Sequence, residues 1–183
     1  MKIFKLNTVG IICDIKEHKS IKNDLLDIIS KTPSENINDD VNKIDNLDWS
    51  KSRTFEKEYF TYLWKHIEPY FKDIAHNLRA KKLEIGDCWF QQYIPGDIHD
   101  WHLHPKTTWQ AVYYLEMNGE QLETEVWDIY EQRPVKTTVK EGELFVFPGN
   151  IIHRAPKNNS KNRKTVITFN LDFDYPDLTK LNF

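Results

Sequence analysis

Apolar residues recur along this chain with two different periods. Phe55, Tyr59, Leu63, Ile67, Tyr70, Phe71, Ile74 and Leu78 return mostly every three or four positions, which predicts an amphipathic helix over 55–78. Pro69 marks a place where it would kink or divide. A shorter stripe, Ile21, Leu25, Ile28 and Ile29, predicts a helix over 21–30 with Ser20 at its start, ended by Thr32-Pro33. From Leu83 the period falls to two, and a strand over 83–93 ends at Pro95-Gly96. Further β-prone runs cover 107–117, 124–130, 135–139, 144–147, 151–154 and 165–173, with Asn118-Gly119 and Pro148-Gly149-Asn150 as turns. Residues 1–15 read as an early strand or hairpin, and 33–50, rich in Asn and Asp, as a surface loop. Many short strands after a helical start, without βαβ alternation, predict a mainly β (α+β) chain built as an antiparallel sandwich or jelly-roll barrel.

A length of 183 residues fits a single domain. Within it, 1–82 forms a helical support and 83–175 a jelly-roll core that carries the chemistry. The balance of 25 basic and 28 acidic residues leaves a net charge of −3, so no overall field draws the chain to nucleic acid or an anionic membrane. Cys13 and Cys88 stand far apart and outside any CxxC spacing, which argues against both a disulfide framework and a thiolate zinc site. There is no long apolar run and no secretory layout at the amino terminus, so a soluble, cytoplasmic protein is expected.

The chemistry concentrates in His99-Asp100-Trp101-His102-Leu103-His104-Pro105 and Ile152-His153-Arg154, which hold four of the seven histidines. On a regular strand Asp100, His102 and His104 share one face, and His99 and Trp101 the other. Two imidazoles at i and i+2 make a pincer. A third from a distant strand, His153, would complete one face of a divalent-metal site and leave the opposite face open. A polar groove of hydrogen-bonded histidines is the plainer alternative. Arg163 and Thr165 form an R-x-T pair that puts a guanidinium and a hydroxyl on one strand face, suited to a carboxylate. A dicarboxylate with one end on metal and the other on Arg163 fits that spacing. Lys157, Lys161 and Lys164 read as a solvated loop. Tyr93, Tyr113 and Gln91 are candidate hydrogen-bond donors to such a ligand, with core packing the competing explanation. Trp101, Trp109 and Trp127 are candidates for a substrate groove.

His102-Leu103-His104-Pro105, Val112-Tyr113-Tyr114-Leu115, Gly142-Glu143-Leu144-Phe145-Val146-Phe147-Pro148, His153, Pro156 and Arg163-Lys164-Thr165-Val166-Ile167-Thr168-Phe169-Asn170, in that order, resemble the 2-oxoglutarate/iron(II)-dependent oxygenases of the prolyl-hydroxylase-like superfamily. The resemblance runs from about Trp89 to Phe173. It implies a double-stranded β-helix (jelly-roll) barrel with the amino-terminal helices packed on one sheet, binding Fe(II) and 2-oxoglutarate. The superfamily's usual metal set is His-x-Asp/Glu with a distant His, followed by Arg-x-Ser/Thr for the distal carboxylate of the co-substrate. By that resemblance His102, His104 and His153 hold the metal and Arg163 and Thr165 hold 2-oxoglutarate, with Tyr93, on a strand expected to line the barrel, as a candidate donor to the co-substrate. His104 stands where the acid is usual, and Asp100 is the alternative that would restore a carboxylate. The implied reaction couples decarboxylation of 2-oxoglutarate to hydroxylation of a small-molecule or peptide substrate. Two other functions fit the same residues: a cupin-like three-histidine metalloenzyme that needs no 2-oxoglutarate, and a non-catalytic jelly-roll binding protein.

Overall fold

A computed structural model describes residues 8–51, 56–118 and 122–174 of the protein. The two helical stripes become α1 (His18–Lys31) and α2 (Glu58–Asn77). Pro69 lies inside α2 without dividing it. α1 begins before Ser20, at a Glu17 cap. Its first turn is drawn onto the sheet because His18 is buried and its Nδ1 bonds the Tyr113 hydroxyl at 2.8 Å. Ser20 Oγ donates to the Glu17 carbonyl. Phe55, Gly119 and residues 1–7 lie outside the described residues.

Eleven strands are described: β1 (Ile11–Asp14), β2 (Glu35–Asn38), β3 (Lys43–Leu47), β4 (Lys82–Tyr93), β5 (His99–His102), β6 (Trp109–Met117), β7 (Glu125–Asp128), β8 (Arg133–Lys136), β9 (Glu143–Pro148), β10 (His153–Ala155) and β11 (Lys164–Asp174). They form a seven-stranded sheet, ordered β1-β9-β6-β11-β4-β3-β2, and a four-stranded sheet, ordered β5-β10-β7-β8. All the described pairings are antiparallel, giving a jelly-roll-like arrangement.

The expected loop over 33–50 is instead the β2–β3 hairpin followed by a 3-10 turn at Trp49–Lys51. Asp39 Oδ1 accepts the backbone N–H groups of Val41 and Asn42 at 2.9 and 2.6 Å, an Asx-type turn that two-residue alternation does not reveal. The hairpin also reaches the histidine segment. Lys43 bridges Ile98, and Asn42 Oδ1 accepts from the Asp100 backbone.

Strand parity sorts the large sheet into two faces. Ile167, Phe169 and Leu171 of β11 share a core with Leu25 of α1 and with Leu63 and Phe71 of α2, Phe71 meeting Phe169 edge-on at 5.6 Å. Val166 of the same strand joins Tyr93, Val112, Tyr114, Phe145 and Phe147 in a second core on the other face. Fully burying a side chain of this size stabilises by roughly 1.5–3 kcal/mol, so a one-residue slip of β11 would cost many such terms at once.

Two polar fixtures hold the edges of this framework. Asp48, 1% exposed, accepts from Phe90 N through Oδ1 and from Tyr59 OH through Oδ2, and its Oδ2 pairs with Lys57 Nζ at 2.7 Å. Lys57 also donates to the Cys88 carbonyl, so the entry to α2 is tied to β4. At the other edge Gly149 donates to the Thr108 carbonyl and accepts from His104 N at 2.8 Å. A Cβ there would stand 2.4 Å from the Thr107 carbonyl oxygen. Among the described residues no helix is long and apolar enough to cross a membrane.

Candidate metal centre

His153 stands directly opposite His102 in the β10–β5 ladder, and the next registered pair is Ala155 with His99. Two steps on β10 therefore face three on β5, a bulge that turns His99 onto the same face as His102. Their rings stack at 3.9 Å and 17°. His104, two residues past the end of β5, is fixed by its backbone bond to Gly149. The ring centroids of His102, His104 and His153 lie 4.3–5.4 Å apart, and one ligand atom from each falls within 4.8 Å of the others.

Hydrogen bonds set which nitrogens are free. His102 Nδ1 lies 2.6 Å from the Asp100 carbonyl, and His153 Nδ1 lies 2.9 Å from the Ile151 carbonyl. A carbonyl oxygen can only accept, so each Nδ1 carries the proton and each Nε2 keeps its lone pair. Trp89 stacks on His104 at 5.9 Å. Burial pushes all three imidazoles toward the neutral form, and repulsion from neighbouring histidines adds to this at His104, down to about 4, and at His153, well below its ordinary value. Three neutral, preoriented imidazoles fit a divalent first-row ion. Asp100 does not join them. The bulge breaks the alternation that would have placed its carboxylate beside His102, and among the described residues this cluster contains no acid.

The same cavity is also lined by Trp89, Gln91, Tyr93, Gln110, Thr124 and Lys164. Lys164 is a buried amine. Its Nζ donates to the Leu122 carbonyl at 2.6 Å and sits 5.5 and 5.4 Å from the Tyr93 and Tyr114 rings. No carboxylate among the described residues is in ion-pair contact with it, and burial pushes its pKa down to about 7 against the opposing pull of the Glu123 charge. Tyr93 is buried with its phenol pushed upward by desolvation. Thr124 Oγ1 lies 2.5 Å from the Tyr114 hydroxyl at this end.

Arg163 and Thr165 do not reach the cavity. They share a face, as their spacing predicts, and together they hold a carboxylate, but it is the protein's own: Glu116 Oε2 accepts from Arg163 Nε at 2.9 Å and from Thr165 Oγ1 at 2.8 Å. Parity gives the reason. Lys164, Val166 and Thr168 point into the cavity, so the odd-numbered residues of this stretch point away. Of the other candidates, Gln91 lines the cavity and bonds His99 at 3.3 Å, whereas Tyr113 belongs to the helix-facing core. Trp109 also packs in that core, and Trp101 meets Trp127 and the Arg154 guanidinium away from the cavity lining. Lys164, His99 and Gln110 were not legible as cavity residues. The available signal was a polar residue at the inward parity of an otherwise apolar strand.

No protein-family model matches the chain. The fold is that of the 2-oxoglutarate/iron(II) oxygenases. A crystal structure of a Burkholderia pseudomallei oxidoreductase of the 2OG-Fe(II) oxygenase family superposes with a TM-score of 0.70 at 14% identity, covering 89% of this chain and 85% of that one. A Pseudomonas putida prolyl-4-hydroxylase superposes with a TM-score of 0.65 at 12% identity, covering 91% and 92%. Among curated proteins, germin-like protein subfamily 2 member 2 of Arabidopsis thaliana is 40% identical over 77 residues, 42% of this chain. The match spans about a third (32%) of that relative's length.

Proposed function

We propose that this protein is a single-domain, cytoplasmic Fe(II)- and 2-oxoglutarate-dependent dioxygenase that hydroxylates a small-molecule or peptide substrate. The observation that carries the reading is the placement of Lys164, a buried amine with no carboxylate in contact among the described residues and Glu123 acting on it only at longer range, in the same cavity as three convergent imidazoles. A buried charge without a counter-ion is costly, and a bound carboxylate would relieve that cost.

His102, His104 and His153 would hold the iron. Lys164 would hold the distal carboxylate of 2-oxoglutarate, with Tyr93 beside it, in place of Arg163 and Thr165. When bound, iron and co-substrate supply the oxidising chemistry, dioxygen and 2-oxoglutarate giving succinate, carbon dioxide and a hydroxylated product. The chain supplies the rest. Carbonyls hold two imidazoles in the metal-binding tautomer, and Tyr93, Tyr114 and Val166 exclude water from the carboxylate site. An all-neutral donor set leaves the charge of a divalent ion undiminished, which favours an anionic co-substrate.

Succinate formation in air with iron(II), 2-oxoglutarate and ascorbate tests the reading, because uncoupled turnover precedes any knowledge of the substrate. Turnover that needs all three and is lost in Lys164→Met supports it. Its absence from iron-loaded protein refutes it. The stretch resembling a germin-like protein, together with the missing acid, favours one alternative, a cupin-like three-histidine metalloenzyme indifferent to 2-oxoglutarate.

A further inference from the structure

We infer that Gln110 supplies a fourth ligand, its amide Oε1, to the metal of the three-histidine site. This inference rests on the metal-binding half of the reading above and is independent of 2-oxoglutarate.

Gln110 is the second residue of β6, registered with Phe147 of β9 on one side and Asn170 of β11 on the other. Parity turns it inward with Val112 and Tyr114. It is 1% exposed, and its Oε1 is buried with no hydrogen-bond partner among the described residues. Leaving an amide oxygen buried and unmatched costs about 1–3 kcal/mol, and such a group in a folded protein asks for a partner. The amide already touches the cluster: its Nε2 donates to His104 Nε2 at 2.7 Å, so a metal bound at that nitrogen takes over the lone pair and the amide turns to offer Oε1 instead.

An amide carbonyl is a hard, neutral oxygen donor of the kind that binds oxygen-seeking cations. Added to three imidazoles it makes a neutral N3O set and recovers part of the hard-metal preference lost when His104 took the acid's place. It is also a weaker ligand than a carboxylate, one that a chelating co-substrate can displace.

Cobalt(II) provides the probe, because the intensity and position of its visible bands follow coordination number and donor type. Metal-free wild type, Gln110→Leu and Gln110→Glu would be titrated with cobalt(II), and affinities for manganese(II) and zinc(II) measured by chelator competition, with circular dichroism and Tm checking the fold. Gln110→Leu is expected to change the cobalt spectrum and to weaken manganese about tenfold more than zinc. Gln110→Glu is expected to keep a wild-type-like spectrum and bind manganese at least tenfold more tightly. If wild type binds cobalt but all three spectra coincide, the inference is overturned, even where affinities differ, since Gln110 then only positions His104 through a rotated amide. If wild type binds no metal, the histidine site itself is refuted, a different failure.

Discussion

Arg163 and Lys164 are neighbours in sequence and face opposite ways. Arg163 Nε bonds Glu116 Oε2 at 2.9 Å on the side where it is exposed, while Lys164 Nζ lies buried beside Tyr93 and Tyr114 in the cavity that holds the histidines. Any carboxylate that enters the cavity meets the lysine.

The two cations should therefore separate cleanly by mutation. Charge-assisted bonds to a buried partner are worth about 1.5–3 kcal/mol, so Lys164→Met should weaken 2-oxoglutarate binding to the metal-loaded protein roughly 10- to 150-fold. Arg163→Met should change it less than about threefold, because that side chain is engaged with Glu116 and half in solvent. Calorimetric titration of both variants checks this.

That reversal shows where the sequence was legible and where it was not. The helical stripes and the main strands follow from periods of 3.6 and 2, since burial enforces both. His102, His104 and His153 were visible because their spacing survives folding. The face of each residue at a strand end was not visible, because it depends on where pairing starts and on the β5 bulge. Neither is written in local composition. Hence His99 turns inward, Asp100 leaves the cluster, and the R-x-T pair keeps its shared face while that face lies on Glu116, away from the histidine cavity. The hairpin over 35–47 was hidden for a related reason: side-chain caps at Asp39, rather than apolar alternation, shape its turn.

Lys164 also sets a pH dependence. Its folded pKa, about 7, lies below the ordinary lysine value of 10.5, so between those limits the unfolded chain binds more protons than the folded, ligand-free one. Stability from this group rises with pH across that window, and below about 7 both forms are charged. A bound carboxylate favours the ammonium form. Binding of 2-oxoglutarate near pH 8.5 should then take up close to one proton, falling toward none near pH 6. Titrations in buffers of different ionisation enthalpy measure it, and Lys164→Met should abolish the uptake.

Gly149 should prove a site determinant although it touches no ligand. A methyl group there meets the Thr107 and His104 carbonyls at 2.4 and 3.0 Å, and backbone cannot yield as a flexible side chain can. Gly149→Ala should cost roughly 1–3 kcal/mol through overpacking. By displacing His104 it should also weaken metal binding about tenfold. Denaturant unfolding of the metal-free protein and chelator competition measure the two effects separately.

The buried pair Asp48–Lys57 makes a test of the framework alone. Asp48→Ala leaves the Lys57 ammonium without its carboxylate and strips acceptors from Phe90 N and Tyr59 OH. A loss of about 3–5 kcal/mol is expected for a broken buried ion pair, read as a shift of the unfolding midpoint. Substituting both partners by apolar residues should recover part of it.

The convergence of three imidazoles and one buried lysine on a single cavity is tested most directly by anaerobic calorimetric titration of 2-oxoglutarate into the protein with and without iron(II). Saturable one-to-one binding that requires the iron, disappears in His102→Ala and His153→Ala and survives in Asp100→Asn is the expected result. Binding that is indifferent to iron or to those histidines, or no binding to protein shown to carry iron, would contradict the account.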